Sequence, residues 1–422
     1  MKQKYILSML LLCCLGTTAW AGGFKIGLQG QKQIGMGHTG IGFAQDAATI
    51  YFNPAGMSFV KSQLNGSVNL LFPSTSFLQK GSGQVINAVN QAFTPFSLYG
   101  QVKLSKHLNF GLGVYTPFGS GMMYPSGWTG RYILNRIDLQ SVYIQPTLSI
   151  RLAERFSIGG GFVFSQGNML LQKDIPLQNA NGQVANAELN GKANGIGYNL
   201  GAYYKGCRLG LGAVYHSKVN MKVHNGLATF NNIPQAAASS FPLDNTFTTS
   251  LPLPSELGFG LSYKLHEKFV VAIDYNYTFW KSFDSLGFDY KYNTASLTDA
   301  KSPRLYENAS AIRIGAQWRV CDDIALRAGA FYDQTPIKDG YVNPELPDNN
   351  KTGITAGFSG RLSNRFSVDL SALYESVKER AQTNIETGLD GTFKTKALSV
   401  GFGLNYKLHG CSCKSCCNKK KY

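Results

Sequence analysis

The sequence has little charge and, beyond its first residues, no long apolar run. Asp, Glu, Lys and Arg make up 15% of the 422 residues, against roughly a quarter in an ordinary soluble domain. No internal stretch supplies the ~20 consecutive apolar residues that a membrane-spanning helix requires. These two shortages argue against a typical cytosolic enzyme and against a helical membrane protein.

Catalytic and metal-binding motifs are also missing. The six histidines are scattered, and neither a Ser/His/Asp set nor an H-E-x-x-H motif occurs. The segment from Gly35 to Gly40 has the spacing G-x-G-x-x-G. A dinucleotide site would also need a buried strand before it and a helix after it, and neither pattern is present. We therefore predict no catalytic residue, no metal and no cofactor.

Acidic residues are few, 24 against 40 Lys and Arg, which gives a formal net charge of +16. The excess is spread over predicted loops, turns and the C-terminal tail, and no basic helix is visible. Such a surface would attract outer-membrane lipid, lipopolysaccharide or fatty acid anions, or would simply be solvated. We expect no nucleic acid partner.

The apolar N-terminus has the form of a secretory signal peptide over residues 1–21. Lys2 and Lys4 precede an apolar core from Ile6 to Leu15, and Ala19-Trp20-Ala21 supplies the small residues of a cleavage site. The mature chain would then begin at Gly22. A lipoprotein signal is the alternative, although the residues before its two cysteines are not small.

Strict alternation of apolar and polar residues is the most abundant pattern in the chain. In Lys396–Leu408, for example, every second side chain is apolar and the others are Ser, Gly, Asn or Lys. This period of two predicts strands with one apolar face. About fourteen such segments occur, at 63–73, 96–105, 107–117, 137–152, 154–168, 193–205, 206–220, 254–265, 267–281, 307–320, 322–334, 351–362, 364–379 and 395–408.

The predicted connections alternate between short turns and long loops, the latter at 74–95, 118–136, 169–192, 221–253, 282–306, 335–350 and 380–394. Outer-membrane barrels have short periplasmic turns and longer extracellular loops, and lipid requires a sheet without edges. We therefore predict an all-β protein, a transmembrane antiparallel β-barrel over residues 63–408, with both termini in the periplasm. Aromatic residues near the strand ends would form an interfacial girdle, namely Tyr143, Tyr263, Tyr277, Phe279, Trp280, Trp318, Tyr332 and Tyr406.

Two segments do not alternate. Residues 22–62 are rich in Gly and Ala, and we expect them to fill the lumen as a plug because a barrel of this width otherwise encloses a channel. We expect residues 409–422 to be a Cys/Lys-rich periplasmic tail. Its four cysteines, Cys411, Cys413, Cys416 and Cys417, allow a thiolate metal clip, two small-loop disulfides or a disordered oxidised tail. Cys207 and Cys321 stand alone near strand ends, where we expect a structural role.

Several motifs resemble those of the FadL family of outer-membrane long-chain fatty acid transporters. Those in the N-terminal segment are Gly22-Gly23-Phe24, Gly35–Gly40, Asp46-Ala47 and Asn53-Pro54-Ala55-Gly56. Those in the predicted barrel are Pro117-Phe118-Gly119, Leu253–Glu256, Ile312–Gly315, Arg327–Gly329, Asp333–Pro336 and Leu346–Asp348. The resemblance covers nearly the whole mature chain to Leu408 and ends at the tail, which the family usually lacks.

The resemblance implies an uptake mechanism and a set of site residues. A groove among the extracellular loops captures the ligand, a deeper lumenal site receives it, and a kinked third strand lets it leave sideways into the bilayer. The ligand-binding positions implied are Phe24, Thr116, Lys173, Gly201 and Arg304, with the two basic side chains near the carboxylate. The plug motif comprises Asp46, Asn53, Pro54 and Ala55.

The kink is assigned to Pro117 and Gly119, because proline removes a ladder donor and glycine favours bulges. An ordinary strand end is the other interpretation of these residues.

We predict uptake of long-chain fatty acids by a monomer. Each buried methylene contributes ~0.8 kcal/mol and an exposed ion pair at most ~1 kcal/mol, so the tail would dominate affinity and a basic residue would mainly orient the ligand. The alternative in the same fold is a channel for other hydrophobic compounds, such as aromatic hydrocarbons. A barrel hydrolase, an adhesin and a water-filled porin are further alternatives.

Overall fold

The computed structural model describes residues 22–408. The predicted signal peptide, residues 1–21, and the predicted cysteine-rich tail, residues 409–422, lie outside the described residues. Among residues 22–408, no helix combines the length and the apolar character needed to cross a membrane.

The structure is built almost entirely of antiparallel strands. They are β1 (Gln63–Gln79), β2 (Val85–Asn87), β3 (Phe96–Lys103), β4 (Leu108–Tyr115), β5 (Gly119–Met123), β6 (Arg136–Ala153), β7 (Phe156–Gln178), β8 (Val184–Lys205), β9 (Leu209–His216), β10 (Val219–Asn231), β11 (Asn245–Leu253), β12 (Glu256–His266), β13 (Phe269–Thr278), β14 (Ser285–Tyr290), β15 (Ala300–Pro303), β16 (Ala309–Arg319), β17 (Ile324–Asp333), β18 (Lys351–Arg361), β19 (Phe366–Val377), β20 (Arg380–Thr383) and β21 (Asp390–Lys407). Short 3-10 helices lie in two of the connections, at Gln235–Ser240 and Trp280–Ser282.

Fourteen of these strands close into a barrel. In order around the wall they are β1, β3, β4, β6, β7, β8, β9, β12, β13, β16, β17, β18, β19 and β21, each paired antiparallel with the next. The ring closes because β1 pairs with β21 along its whole length, from Gln63 opposite Lys407 to Gln79 opposite Gly391. The prediction of an all-β, closed barrel of about fourteen strands is confirmed.

Alternation decides which side chains face inward. On β1, Asn65 and Asn69 are buried, whereas Leu64 and Leu70, each next to one of them, are 48% and 46% exposed. The other wall strands repeat this arrangement, so the outer surface is apolar and the buried inner surface is largely polar or small. An apolar belt of this extent is stable only in lipid.

Several strands run further than the alternation predicts. The segment 169–192, predicted as a loop, is mostly a hairpin in which β7 continues to Gln178 and β8 begins at Val184. The prediction was wrong because polar residues such as Lys173 and Asp174 interrupt the pattern. Their backbones still pair with Ala187 and Asn186, since ladder hydrogen bonds do not depend on side-chain polarity.

Two of the predicted girdle residues lie inside the barrel. Tyr143 and Trp280 are 6% and 1% exposed, and their rings lie 5.8 Å from Tyr115 and 5.7 Å from Tyr306. Tyr143 has the same inward phase on β6 as Ser141, which the aromatic character of the side chain concealed. For these two residues the interfacial prediction was wrong.

Residues 22–62, which we call the N-terminal segment, lie against the inner surface of the wall. The segment contains α1 (Gln31–Ile34), α2 (Thr49–Phe52) and a 3-10 helix over Pro54–Phe59. The side chain of Asn53 caps that 3-10 helix by accepting a hydrogen bond from the backbone N–H of Ala55 (3.1 Å), as expected for Asn at an N-cap before proline.

Candidate functional site

The half of the lumen nearer the short turns, which we call the lower lumen, holds the N-terminal segment by hydrogen bonds. The carboxylate of Asp274 on β13 accepts from the backbone N–H groups of Gly40 (2.7 Å) and Ile41 (2.9 Å). The hydroxyl of Ser262 on β12 donates to the carbonyl of Gly42 (2.7 Å). Wall side chains thus satisfy backbone groups that would otherwise be buried without partners.

The predicted plug motif is part of this network. Asn53 donates from its amide to the carbonyl of Ala202 on β8 (3.0 Å), and the carbonyl of Ala55 accepts from Ser157 on β7 (2.7 Å). Asp46 accepts from the side chain of Gln33 (3.1 Å). Pro54, the first residue of the 3-10 helix, is also buried.

The structure places Gly201, predicted as a ligand contact, beside Asn53 and Pro54. A Cβ on Gly201 would lie 2.2 Å from Asn53 Oδ1 and 3.0 Å from Pro54 Cδ. The missing side chain at Gly201 therefore makes room for the N-terminal segment rather than for an open cavity.

Buried charges of the N-terminal segment are paired with the wall. The ammonium of Lys25 contacts the carboxylate of Glu256, and that of Lys32 lies 3.2 Å from Asp46 and 3.7 Å from Asp369. Burial alone lowers the pKa of each lysine, but the facing carboxylates outweigh burial and leave both pKa values above the ordinary value. Both side chains are therefore held as ammonium ions.

His38 is buried near these groups, and no carboxylate within residues 22–408 is paired with it. Burial, together with the positive charge of Arg313, lowers the pKa of His38 to about 3. The imidazole is therefore neutral at ordinary pH. His38 also has a φ of 64°, a conformation that Asn and Gly adopt more readily than most residues.

The barrel wall is interrupted at Thr116–Phe118, which we call the strand break. Pairing of β3 with β4 ends at Ser97 opposite Tyr115, and β5 beyond the break pairs with β6 from Gly119. The free edge is taken by the N-terminal segment, because Ile26 N–H donates to the carbonyl of Pro117 (2.8 Å) and Gly119 N–H donates to that of Phe24 (3.0 Å). Residues 24–26 thus form an isolated antiparallel β-bridge, Lys25 opposite Phe118, where the wall is interrupted.

Beside the strand break lies an apolar cavity of ≈ 40 Å³. Among the described residues, none of those lining it is charged. They are Phe24, Phe118, Gly119, Leu139, Gln140, Ser141, Asn168, Met169, Ala193, Met221, Val223, Thr249, Leu251 and Leu253. We call this cavity and the buried apolar cluster around Phe24, Phe283 and Trp280 the upper lumen.

The predicted ligand contacts fall in different places. Phe24 lines the cavity, and its ring lies 6.0 Å from that of Phe283. Thr116 is in the strand break, where its hydroxyl and backbone bind Phe96 and its carbonyl accepts from Gln29 (2.9 Å). Lys173 is exposed on the upper part of β7. The structure therefore groups Phe24 with the strand break and leaves Lys173 outside that group.

Arg304 is buried and already paired. Its guanidinium lies 2.6 Å from the carboxylate of Glu345, and both side chains are less than a tenth exposed. Arg304 also contacts Ser302. The neighbouring Tyr306 packs edge-on against Phe283 at 4.9 Å, so the ion pair is close to the aromatic cluster of the upper lumen.

Sequence reasoning missed most of the cavity. Met169, Met221, Val223 and Leu251 all line it, and all four lie in the segments 169–192 and 221–253 that were predicted as loops. A possible signal was the short alternation at Val219, Met221 and Val223, which are all buried on β10. Its length was too small to separate a strand from an irregular loop.

A closed barrel with an apolar exterior, an occupied lower lumen and an apolar cavity beside a strand break defines a class, the outer-membrane β-barrel transport proteins. Residues 12–408 match the model of the family described as Outer membrane protein transport protein (OMPP1/FadL/TodX). The chain belongs to this family. It is an outer-membrane transporter of hydrophobic compounds, in a family of transporters and channels rather than enzymes.

Curated relatives match along almost their full length. The 47 kDa outer membrane protein of Pasteurella multocida is 24% identical over 431 residues, covering 94% of this chain and 96% of the relative. A long-chain fatty acid transport protein of Escherichia coli is 21% identical over 433 residues, covering 93% and 95%.

Solved structures share the fold. The crystal structure of a Pseudomonas aeruginosa FadL homologue superposes with a TM-score of 0.81 at 18% identity, covering 92% of this chain and 100% of the other. The toluene transporter TbuX of Ralstonia pickettii gives a TM-score of 0.67 at 17% identity, covering 90% and 98%. At these identities the likeness concerns the fold alone.

Proposed function

We propose that the protein takes up long-chain fatty acids, which are captured among the extracellular loops, pass into the cavity of the upper lumen and leave sideways through the strand break. The observation that carries this proposal is the position of the cavity, which adjoins both Phe24 and the interrupted wall. The relative from Escherichia coli named a long-chain fatty acid transport protein supports the substrate class.

A bound tail requires movement of side chains. Ligand pockets usually measure roughly 300–1,000 Å³, whereas the cavity has ≈ 40 Å³. Phe24 is the side chain best placed to make room, because it belongs to the N-terminal segment rather than to the wall. Since each methylene that leaves water contributes ~0.8 kcal/mol, a long tail offsets the loss of the contacts that Phe24 makes with Phe283.

Arg304 is a buried cation close to the aromatic cluster of the upper lumen, where the carboxylate of a fatty acid could bind. Arg304 is bound to Glu345, so a fatty acid would have to replace Glu345 as its partner or leave its carboxylate at the cavity mouth. An unpaired carboxylate inside an apolar lumen is strongly unfavourable. Lys173 is exposed and would serve only at an earlier stage, during capture.

The N-terminal segment acts in this proposal as the plug of the barrel. Hydrogen bonds to Asp274 and Ser262 fix it in the lower lumen, which leaves the passage to the periplasm filled. A hydrophobic ligand in the upper lumen then has the strand break as its nearest route to the membrane. Residues 24–26, which form the β-bridge to the strand break, would have to separate from it during release.

A second candidate is uptake of neutral hydrophobic compounds such as aromatic hydrocarbons. The observation favouring it is that the described residues around the cavity offer no charged side chain for a carboxylate. Their polar atoms belong to neutral Gln140, Ser141, Asn168 and Thr249.

Binding of oleate and of toluene to the purified protein in detergent distinguishes the two candidates. The variant that tests them is Arg304→Gln with Glu345→Gln, which removes both charges of the pair without leaving one unpaired. If fatty acids are the substrate, we expect oleate binding to weaken about five- to tenfold, the effect of roughly 1 kcal/mol, and toluene binding to stay unchanged. Lys338→Gln, on an exposed loop, is the matched control.

The opposite result would contradict the proposal that long-chain fatty acids are the substrate. Tight toluene binding, with oleate binding that is weak and indifferent to the Arg304 and Glu345 substitutions, would favour the neutral substrate. Phe24→Ala should strengthen binding of both ligands, because neither ligand then has to displace the Phe24 ring from Phe283.

A further inference from the structure

Positive charge is concentrated at one end of the barrel. The end that carries the six short turns and both ends of the described wall has thirteen Lys and Arg against four acidic residues, Glu154, Glu267, Asp322 and Asp323. The thirteen, which we call the basic ring, are Lys61, Lys103, Lys106, Arg151, Arg155, Lys205, Arg208, Lys264, Lys268, Arg319, Arg361, Arg365 and Lys407. In the rest of residues 22–408, twenty-one Lys and Arg accompany twenty Asp and Glu, so the positive charge is not spread evenly over loops and turns as expected.

The ring has a repeated position in the fold. Seven wall strands run toward the turn end, namely β3, β6, β8, β12, β16, β18 and β21. Each has a Lys or Arg among its last three residues, which are Lys103, Arg151, Lys205, Lys264, Arg319, Arg361 and Lys407 in that order. Lys and Arg account for 40 of 422 residues, so composition alone does not place one at every such end.

Backbone pairing brings like charges of the ring side by side. The N–H of Lys264 donates to the carbonyl of Arg208 (2.8 Å), and that of Arg319 donates to the carbonyl of Lys268 (2.8 Å). The N–H of Lys407 likewise donates to Arg365 (2.9 Å). Like charges directly opposite each other destabilise a strand pair, so these positions favour an anion that bridges them.

The acidic residues of this end relieve only part of the repulsion. Glu267 lies 3.6 Å from Lys264, and Asp323 lies 3.2 Å from Arg361. With four carboxylates against thirteen Lys and Arg, this end keeps a formal excess of nine positive charges.

Apolar side chains directly follow the basic residues and identify the kind of partner. Leu104, Leu152, Leu265 and Leu362 come immediately after Lys103, Arg151, Lys264 and Arg361. All four leucines are more than half exposed, at 58%, 57%, 54% and 69%. A cation next to an exposed leucine at the rim of an apolar belt fits the boundary between lipid headgroups and acyl chains. An acidic protein would need no such apolar edge.

We propose that the basic ring binds the phosphate groups of anionic phospholipids in the periplasmic leaflet, with the adjacent leucines in contact with the acyl chains. The short turns of an outer-membrane barrel face the periplasm, which places the ring at the headgroup level of that leaflet. The proposal does not depend on which hydrophobic compound the protein transports.

Lipid titration of the full chain in detergent micelles, read by native mass spectrometry, tests the proposal. The ring variant carries Arg208→Gln, Lys268→Gln, Arg319→Gln and Arg365→Gln, all at exposed side chains. The charge-matched control carries Lys291→Gln, Lys301→Gln, Lys338→Gln and Lys378→Gln on exposed positions of the loop end. The probes are phosphatidylglycerol and phosphatidylethanolamine.

The unaltered protein and the control should bind phosphatidylglycerol at least about tenfold more tightly than phosphatidylethanolamine, and the preference should fall with added salt. The ring variant should lose the preference, and replacing its three arginines by lysine instead of glutamine should keep it. Retention of barrel mobility on unheated gels shows that the ring variant is folded. Equal lipid preference in the ring variant and the unaltered protein, or equal loss in the control, would overturn the proposal.

Discussion

The lower and the upper lumen are filled in opposite ways, and residues of β5, β10 and β11 join the wall strands in lining the upper one. In the lower lumen, inward-facing Asp, Ser and Asn side chains bind backbone groups of the N-terminal segment, as Asp274 binds Gly40 and Ile41. In the upper lumen, inward-facing apolar side chains such as Met169 and Val223 surround a small cavity.

This difference indicates that hydrogen bonds suit a segment that stays in the lumen, whereas apolar contacts suit a ligand that binds and leaves. Hydrogen bonds are directional, and a buried donor left without its acceptor costs about 1–3 kcal/mol, so the N-terminal segment is held in one arrangement. Apolar contacts are not directional, and Met side chains adapt to different shapes. The upper lumen is therefore the half that can exchange its contents.

The largest effect is expected from closing the space between the wall and the N-terminal segment. A Cβ at Gly260 would lie 2.2 Å from the backbone nitrogen of Gly42 and 2.4 Å from Asp274. Gly260→Leu should destabilise the seated segment by about 3 kcal/mol or more and raise ion conductance in planar bilayers severalfold. Phe259→Leu, at the neighbouring exposed position, is the control. A variant that conducts no more than the unaltered protein would show that the segment does not block the lumen.

A smaller effect is expected when the acceptor of the N-terminal segment is removed. Asp274→Ala leaves the N–H groups of Gly40 and Ile41 without a partner, at a cost of about 2–3 kcal/mol. Urea unfolding in lipid vesicles should show this loss. Asp274→Asn keeps one acceptor oxygen and should retain part of the unfolding free energy that Asp274→Ala loses. Equal stability of the Ala variant and the unaltered protein would mean that other groups replace the carboxylate.

The pH dependence of stability tests the same lower region without changing its packing. The pKa of His38 is about 3 in the fold and about 6.5 in an unfolded chain. The unfolded state therefore binds a proton first, and the contribution of His38 is present above pH 6.5 and lost as the pH falls toward 3. Between pH 7.5 and pH 5 the loss should be about 2 kcal/mol.

The His38 contribution is isolated by comparison with His38→Asn, since Asn tolerates the positive φ and does not titrate. The difference in unfolding free energy between the two proteins should shrink as the pH is lowered. A difference that stays constant from pH 7.5 to pH 5 would contradict a buried neutral imidazole.

The smallest effect concerns the upper lumen alone. Met169→Trp should fill the cavity of ≈ 40 Å³ and weaken binding of oleate and toluene about tenfold, which corresponds to about 1.4 kcal/mol. Conductance and the pH dependence of stability should not change, because Met169 does not contact the lower lumen network. Leu148→Trp, on the exposed face of β6, is the matched control. Altered conductance in the Met169 variant would show that the two halves of the lumen are coupled.

The wall strands could be predicted from the sequence because each of them must present apolar side chains to the lipid. Leu64 and Leu70 face outward and Asn65 and Asn69 inward, as the period of two predicts. The cavity could not be read in the same way. Met169 and Met221 lie beyond the regular alternation, and the alternation around Met221 was too short to predict a strand.

The sequence by itself determined the closed barrel, its apolar exterior and its family, because alternation and short motifs are local properties of the chain. Only the tertiary structure decided that Tyr143 and Trp280 point inward, that Gly201 makes room for Asn53, and that residues 24–26 pair with the strand break. Each of these depends on the distance between segments far apart in the chain, and side-chain chemistry alone does not fix that distance. The concentration of basic residues at the turn end likewise became visible only when the strands were placed in register.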